Sequence, residues 1–142
     1  MILLALLAAQ VAAAPVATLD TNQRAANAAI TACKGTPIAF AILDSEAQPR
    51  LLVLGDGARS LFGNFALRKA ATALRYGKPS AQVRDEAKND PALAEKLKSD
   101  STLIGFGGGL PFAGGALAVA GAPSQDLDET CAKAALAVLA QG

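Results

Sequence analysis

The chain has 142 residues and a formal net charge of +1, which suits a single domain and lacks the basic excess of a nucleic-acid-binding protein. Hydrophobic residues make up 52% of it but aromatic residues only 4%, so small aliphatic side chains must form most of the core. Because it contains no histidine and only two cysteines, Ser-His-Asp and Cys-His catalytic sites and a tetrahedral zinc site are excluded, and no metal site is expected. The small net charge also favours self-association into a homo-oligomer.

The chain opens with an apolar run, Ile2 to Ala9, which is followed by small residues and Pro15. The run is too short to span a bilayer, which takes about 20 residues, and is typical of the apolar part of a secretory signal. We therefore predict a signal peptide at residues 1–13, cleaved after Ala13, although no Lys or Arg precedes the run. The alternative is a buried N-terminal helix. Export predicts a periplasmic or secreted protein with no stable membrane span after cleavage.

The segment TLDTNQRAANAAITACKG predicts a helix that Thr18 or Asp20 can cap and that ends before Gly35. Cys33 lies on the apolar face of this helix, and Cys131 lies on the apolar face of the last predicted helix. If the two helices pack antiparallel, the two sulfurs meet. Because disulfides persist in exported proteins, we predict a Cys33–Cys131 disulfide. The alternative is two buried free thiols.

A strand pair and three helices are predicted next. PIAFAILDS is apolar on both faces, which predicts a buried strand, and LLVLGDG predicts the strand that returns beside it in a hairpin. Ser60 is a candidate N-cap for a helix that ends before Gly77. The charged segment that follows predicts two short helices, of which the second begins at Asp90-Pro91.

The stretch IGFGGGLPFAGGALAVAG, Ile104 to Gly121, suggests either a phosphate-binding loop or a hairpin. It contains no lysine, Leu110 interrupts a G-x-G-x-x-G pattern, and a strand rather than a helix follows, all of which argue against phosphate. We therefore predict a strand over STLIGFGGG, a turn at residues 113–115 and a strand over GALAVAGA. Pro111 removes a backbone donor, which predicts an edge strand.

The final segment, SQDLDETCAKAALAVLAQ, predicts a helix that Ser124 or Asp126 can cap. The predicted order is therefore a helix, two strands, helices, two or three strands and a last helix. This order indicates the α+β class, with an antiparallel sheet and helices packed on it.

Five segments in this order resemble the GlcG/HbpS-like family of haem-binding proteins. The matching positions are Asp44, Asp56-Gly57-Ala58, Arg68-Lys69-Ala70 with Thr72-Ala73, Gly108-Gly109 with Pro111, and Ser124-Gln125-Asp126. The resemblance covers nearly all of the mature chain, as one domain over residues 18–142. It implies a profilin-like α/β sandwich, assembly into oligomers, and binding of haem or a similar tetrapyrrole.

The resemblance makes the helix flank of Arg68, Lys69 and Thr72 a candidate cofactor-binding site, with two cations for a carboxylate or propionate and one hydroxyl donor. Tyr76, one turn further on, is a candidate ligand for ferric iron. Gly108 and Gly109 are candidates for the close approach of a planar ligand, or of another backbone. The alternative for the flank is a polar helix face or an oligomer contact.

A binding protein is favoured over an enzyme. The alternative function is a small enzyme or accessory factor that acts on an anionic metabolite at the Arg68 and Lys69 flank. Without histidine, acid–base catalysis would fall to Asp44, Asp56, Lys69 or Tyr76.

Overall fold

The computed structural model describes residues 17–141, so the signal peptide predicted at residues 1–13 lies outside the described residues. In chain order the elements are α1 (Leu19–Ala32), β1 (Ala39–Asp44), β2 (Pro49–Leu54), α2 (Ser60–Tyr76), α3 (Ser80–Ala87), α4 (Pro91–Ser99), β3 (Gly109–Phe112), β4 (Gly115–Ala120) and α5 (Gln125–Gln141). Within this range, no helix is long and apolar enough to cross a lipid bilayer.

The first and last helices are joined covalently. The Thr18 hydroxyl caps α1 by accepting a hydrogen bond from the backbone N–H of Thr21. Cys33, directly after α1, forms the predicted disulfide with Cys131 of α5, and their Cα atoms are 5.5 Å apart. The Ser124 hydroxyl accepts from the N–H of Leu127 and so caps α5. These contacts confirm the predicted disulfide and both predicted caps.

The four strands form one antiparallel sheet in the order β2-β1-β4-β3. The β1–β2 hairpin and the edge position of β3 are as predicted. Central strand β1 is buried on both faces, except at Asp44. Because only one side of β3 pairs with another strand, Pro111 fits there without a lost ladder bond.

The two faces of the sheet carry side chains of different size. One face presents large residues to α1 and α5, namely Phe40, Ile42, Leu117 and Val119. The other face presents alanines to the alanines of α2, namely Ala39, Ala41, Ala116, Ala118 and Ala120. Helices therefore cover the sheet on both sides, and the small side chains let α2 lie close to it. The α+β class and the helix–sheet sandwich are confirmed.

Three local predictions were wrong. Residues 101–108 form no strand, because side chains of α2, α3 and α5 hydrogen-bond to the backbone at residues 103–107 in place of a neighbouring strand. Only the carbonyl oxygen of Gly108 accepts from β4, and β3 begins at Gly109. The hairpin turn is shorter than predicted, because Gly115 already pairs with Phe112 in the ladder. Ser60 is the first residue of α2 and not its cap; Arg59 takes the extended cap position without a side-chain hydrogen bond.

Candidate functional site

An open cleft of about 370 Å³ lies beside the N-terminal half of α2. Its volume falls within the usual range for small-molecule sites, about 300–1,000 Å³. The residues that line it come from α2, the loop before β3, the β4–α5 connection and the start of α5. They are Phe62, Phe65, Lys69, Phe106, Ala120, Gly121, Ala122, Pro123, Ser124, Gln125 and Asp128.

Three phenylalanines form an aromatic wall, which we define as Phe62, Phe65 and Phe106. Phe62 and Phe65 lie three residues apart on α2, so both project from one face of the helix. The Phe106 ring lies 6.2 Å from that of Phe65, centroid to centroid, and the two planes are tilted by 59°. This is a favourable aromatic pair, and 42% of Phe106 remains exposed to solvent. The wall therefore offers an accessible apolar surface to a flat ligand.

A buried ion pair borders the same cleft. Lys69 follows Phe65 by four residues, and its Nζ lies 2.8 Å from Asp128 Oδ2 and 3.0 Å from the carbonyl oxygen of Val119. The other carboxylate oxygen, Oδ1, accepts from the N–H of Ala122 at 2.9 Å. Both side chains are about 95% buried, at 4% and 5% exposure. The cleft thus combines an aromatic wall with one charged pair.

Burial shifts the pKa values of both partners. It lowers the pKa of the Lys69 ammonium, and the Asp128 carboxylate offsets only part of that shift. Burial also raises the pKa of Asp128. The Lys69 charge and the hydrogen bond from the Ala122 N–H offset only part of that rise. Desolvation is the largest cause in each case, because a low-dielectric site disfavours the charged forms. The pair is therefore less firmly ionic than an exposed Lys–Asp pair.

Gly121 shapes the rim of the cleft. Its φ is +112°, a conformation that residues with side chains rarely adopt. A Cβ at this position would lie 2.7 Å from Cδ2 of Phe62 and 3.0 Å from the carbonyl oxygen of Pro37. Glycine is required here because the Phe62 ring packs directly against the backbone of the β4–α5 connection.

The loop before β3, residues 101–108, crosses α2 and carries Phe106; we call it the strap. The Arg68 guanidinium donates two hydrogen bonds to the carbonyl oxygen of Leu103, at 2.9 and 3.2 Å. The Thr72 hydroxyl accepts from the N–H of Ile104 at 2.9 Å and lies 3.0 Å from the carbonyl oxygen of the same residue. Two side chains of α2 therefore fix the first half of the strap.

Side chains of α3 and α5 fix the second half of the strap. The Ser80 hydroxyl donates to the carbonyl oxygen of Phe106 at 2.6 Å and accepts from the N–H of Gly109 at 2.8 Å. The Gln125 side-chain oxygen accepts from the N–H of Gly107, and also from the Arg84 guanidinium, both at 2.7 Å. The position of Phe106 in the aromatic wall thus depends on contacts from three helices.

The comparisons with known proteins agree with this architecture. A model of the family described as haem degrading protein HbpS-like matches residues 17–137. The chain belongs to the HbpS-like family. This result confirms the resemblance seen in the five sequence segments. No curated protein matches the chain.

Solved structures of HbpS are similar over most of the chain. A double mutant of HbpS from Streptomyces reticuli is 35% identical, with 90% of this chain and 98% of that one covered and a TM-score of 0.76. A second HbpS structure is 32% identical, with 92% and 94% covered and a TM-score of 0.79. A complex of PduOC with heme is 20% identical, with 87% and 95% covered and a TM-score of 0.76, and this likeness shows the fold alone.

The structure places the predicted site residues in different environments. Of the three residues in the predicted helix flank, only Lys69 lines the cleft. The side chains of Arg68 and Thr72 hydrogen-bond to the backbone of the strap. Tyr76 lies in the last turn of α2, about 10 Å along the helix axis from Lys69 at 1.5 Å per residue, and it does not line the cleft. Its role as an iron ligand stays a prediction.

Gly108 and Gly109 lie against backbone of the same chain. A Cβ on Gly109 would overlap the carbonyl group of Lys69, and one on Gly108 would lie 2.5 Å from the carbonyl oxygen of Val119. Neither glycine lines the cleft. Glycine is needed at both positions because α2 and β4 approach the backbone there closely. Contact of Gly108 and Gly109 with a ligand stays a prediction.

Sequence reasoning missed the aromatic wall and the partner of Lys69. The chain has only five phenylalanines, and three of them line the cleft. In a chain so poor in aromatic residues, Phe106 within the glycine run, and Phe62 and Phe65 three residues apart on a predicted helix, are signals that could have identified the wall. Asp128 gave no such signal, because acidic residues in the first turn of a helix are common.

Proposed function

We propose that this chain is an exported binding protein for haem or a similar tetrapyrrole, and that the ligand occupies the cleft beside the aromatic wall. The observation that carries the proposal is the set of three phenylalanine rings around an open cleft. Such rings offer flat apolar contact to a tetrapyrrole plane. The HbpS-like family and the structure of PduOC with heme support the ligand class.

The described residues fit a tetrapyrrole held by its faces and edges. The cleft lining includes no histidine, cysteine, methionine or tyrosine, which are the usual axial ligands of haem iron. Among residues 17–141, no group of three or more His, Cys, Asp or Glu side chains is placed to hold a metal ion. We therefore propose that apolar contact with the wall supplies most of the affinity and that the iron takes no ligand from the cleft.

A cation next to the aromatic wall suits the propionates. The Arg59 guanidinium lies 5.9 Å above the centre of the Phe62 ring, within the range of a cation–π contact. A carboxylate at the edge of a ligand stacked on Phe62 would meet this charge. We propose that Arg59 takes the propionate-binding role that the sequence suggested for Arg68, whose Nε and one Nη donate to the strap.

The proposal of export rests on two features. The apolar run at Ile2 to Ala9 is typical of a secretory signal, and the single disulfide is of the kind that persists in oxidising compartments. A periplasmic or secreted location follows from the proposal. Fractionation of the native host, with mass spectrometry of the mature N-terminus, tests it; a cytoplasmic protein that retains residues 1–13 would contradict it.

Titration of the purified mature protein with hemin tests the binding proposal. The expected result is a saturable change in the Soret band at about one hemin per chain. A linear, non-saturating change equal to that of a protein without a cleft would contradict it.

A second function is favoured by one observation, the Lys69–Asp128 pair at the edge of the cleft. An ionisable pair that is both buried and next to a ligand-sized cleft is typical of catalytic sites. The candidate is a small enzyme or accessory factor acting on a metabolite that enters this cleft.

A further inference from the structure

Lys69 differs in environment from every other lysine in the described chain. It is 3% exposed, whereas Lys34, Lys88 and Lys133 are exposed to solvent. Burial lowers the pKa of Lys69, so a larger fraction of its side chain is the neutral amine than at the exposed positions. Only the neutral amine is a nucleophile, and buried lysines of this kind serve in Schiff-base chemistry.

The geometry around Nζ leaves one direction for a ligand. A nitrogen of this type has three positions besides its bond to carbon. The structure supplies acceptors at two of them, Asp128 Oδ2 at 2.8 Å and the carbonyl oxygen of Val119 at 3.0 Å. After a proton has passed from Nζ to Asp128 Oδ2, the lone pair of the amine faces the new O–H, and rotation about the Cε–Nζ bond to the next staggered position brings the lone pair to the third position. Lys69 lines the cleft, so this third position is the one from which a molecule held there would approach Nζ.

Asp128 can take up and return the proton of Lys69. Its Oδ2 already shares a hydrogen bond with Nζ, and burial raises the pKa of its carboxyl. Transfer of one proton from Nζ to Asp128 gives an amine next to a carboxylic acid. This is the pair of groups that imine formation requires, since the amine attacks the carbonyl carbon and the acid protonates the oxygen that leaves.

We infer that Lys69 forms a Schiff base with flat aldehydes or ketones that enter the cleft, and that Asp128 is the proton donor. The amine adds to the carbonyl carbon and gives a carbinolamine. Asp128 then donates its proton to the carbinolamine hydroxyl, water leaves, and the product is a protonated imine paired with the Asp128 carboxylate. Addition of water reverses the steps, so no oxidant or reductant is consumed. The aromatic wall selects carbonyl compounds with an aromatic or conjugated group.

This inference rests on the proposal that the cleft is a ligand site, but it does not depend on haem being the ligand. Reductive trapping tests it. The mature protein is incubated at neutral pH with benzaldehyde and sodium cyanoborohydride, and the adducts are located by peptide mass spectrometry. We expect Lys69 to be labelled first, with Lys34, Lys88 and Lys133 as internal controls in the same molecule. Adducts on the exposed lysines with none on Lys69 would overturn the inference.

Two variants separate the chemistry from the fold. Asp128→Asn keeps the size of the side chain but removes the proton donor. Although loss of the carboxylate lowers the pKa of Lys69 further and leaves more neutral amine, the carbinolamine then loses water without an acid, so labelling of Lys69 is expected to slow by about 100-fold or more. Lys133→Met, which removes an exposed lysine of α5, is the matched control and is expected to leave the rate at Lys69 unchanged. If Asp128→Asn does not fold by circular dichroism, the site selectivity of the unsubstituted protein decides the question alone.

Competition with hemin separates this inference from the proposed function. If hemin binds saturably but Lys69 is never labelled, the inference fails and the binding proposal stands. If Lys69 is labelled selectively but hemin does not bind, the inference stands and the binding proposal fails. If both are correct, saturating hemin is expected to protect Lys69 while the exposed lysines react as before.

Discussion

The Lys69–Asp128 pair is the residue-scale feature that connects packing with chemistry. A buried ion pair contributes little net stability against an apolar replacement, whereas removing one partner leaves a charge without compensation. Here the pair also joins α2 to α5 and, through the Ala122 N–H, to the β4–α5 connection. Because the pair also borders the cleft, it can act on a ligand as well as on the packing of these elements.

Lys69→Met is expected to destabilise the protein by about 3–5 kcal/mol and to make its loss of stability with rising pH steeper. Without Lys69 the pKa of Asp128 rises further, because burial remains and the compensating cation is gone. The pKa of an aspartate carboxyl in the unfolded protein is about 3.9. If its pKa in the folded protein is higher, the carboxyl contributes stability to the fold at pH values below about 3.9. That contribution is lost as the pH rises through the folded pKa. The variant is therefore expected to be most stable in mild acid.

Urea unfolding across a pH series measures this effect. Lys133→Met is the control, because Lys133 is exposed and its nearest acidic partner, Glu129, lies 3.9 Å away. If Lys69→Met follows the same pH dependence as the unsubstituted protein and this control, Asp128 does not carry the buried charge described above.

At the scale of elements, the strap links the stability of the fold to the shape of the cleft. It has no regular secondary structure, so hydrogen bonds from Arg68, Thr72, Ser80 and Gln125 fix its path. Because Phe106 belongs to the strap, a change in these contacts also changes the aromatic wall. The helix flank singled out in the sequence thus acts on the cleft through Phe106.

Thr72→Val is expected to cost about 1–3 kcal/mol of stability, since it leaves the N–H of Ile104 without its partner. It should also weaken hemin binding, because Phe106 is then held less firmly. Thr130→Val is the matched control, since its hydroxyl donates to a carbonyl one turn back on the exposed face of α5. Thermal unfolding and hemin titration measure the two effects. Equal hemin affinity in both variants would show that Thr72 does not position the wall.

The disulfide acts on the pair of outer helices. Cys33 and Cys131 are 98 residues apart in the sequence, so the bond closes a loop over most of the domain. Replacing both with alanine is expected to lower the free energy of unfolding by about 2–5 kcal/mol. The unsubstituted protein unfolded in a reducing agent is the control and should show a similar loss. An unchanged unfolding midpoint in both would mean that helix packing alone fixes α1 and α5.

At the scale of the whole molecule, one apolar region on strand β2 is exposed. Leu52 and Leu54 are each 45% exposed, and both lie over Gly63 of α2. The outer edge of β2 has no partner strand in the sheet of the described residues. With a net charge of only +1, the protein has little repulsion to oppose contact between copies. We propose that homo-oligomers form through this region.

Replacing Leu52 and Leu54 with glutamate is expected to shift the protein toward monomers in sedimentation velocity, because charges at a contact must lose water. Leu19→Glu is the control, since Leu19 is 60% exposed and belongs to α1 and not to the strand proposed as the contact. If the double variant and the control sediment alike, β2 is not the contact.

Much of the fold was predictable because its signals are local. Each of these signals depends on a few neighbouring residues. They are the caps at Thr18 and Ser124, the apolar run of β1, and Pro111 in an edge strand. The strap and the aromatic wall were not predictable in the same way. Arg68 meets Leu103 across 35 residues and Lys69 meets Asp128 across 59, and a single sequence carries no signal for such pairings. The family resemblance therefore singled out the flank of α2, but it did not predict what each side chain of that flank contacts.

The central claim is that the aromatic wall binds a tetrapyrrole, and hemin titration of Phe106→Asp beside the unsubstituted protein tests it most directly. Phe106 is 42% exposed, so the substitution changes the wall with little effect on the core. Leu19→Asp, at an apolar position that is 60% exposed and does not line the cleft, is the control. We predict saturable binding by the unsubstituted protein and the control, and an affinity at least about 10-fold lower for Phe106→Asp, a loss of about 1.4 kcal/mol. Equal affinity in all three proteins would contradict the account.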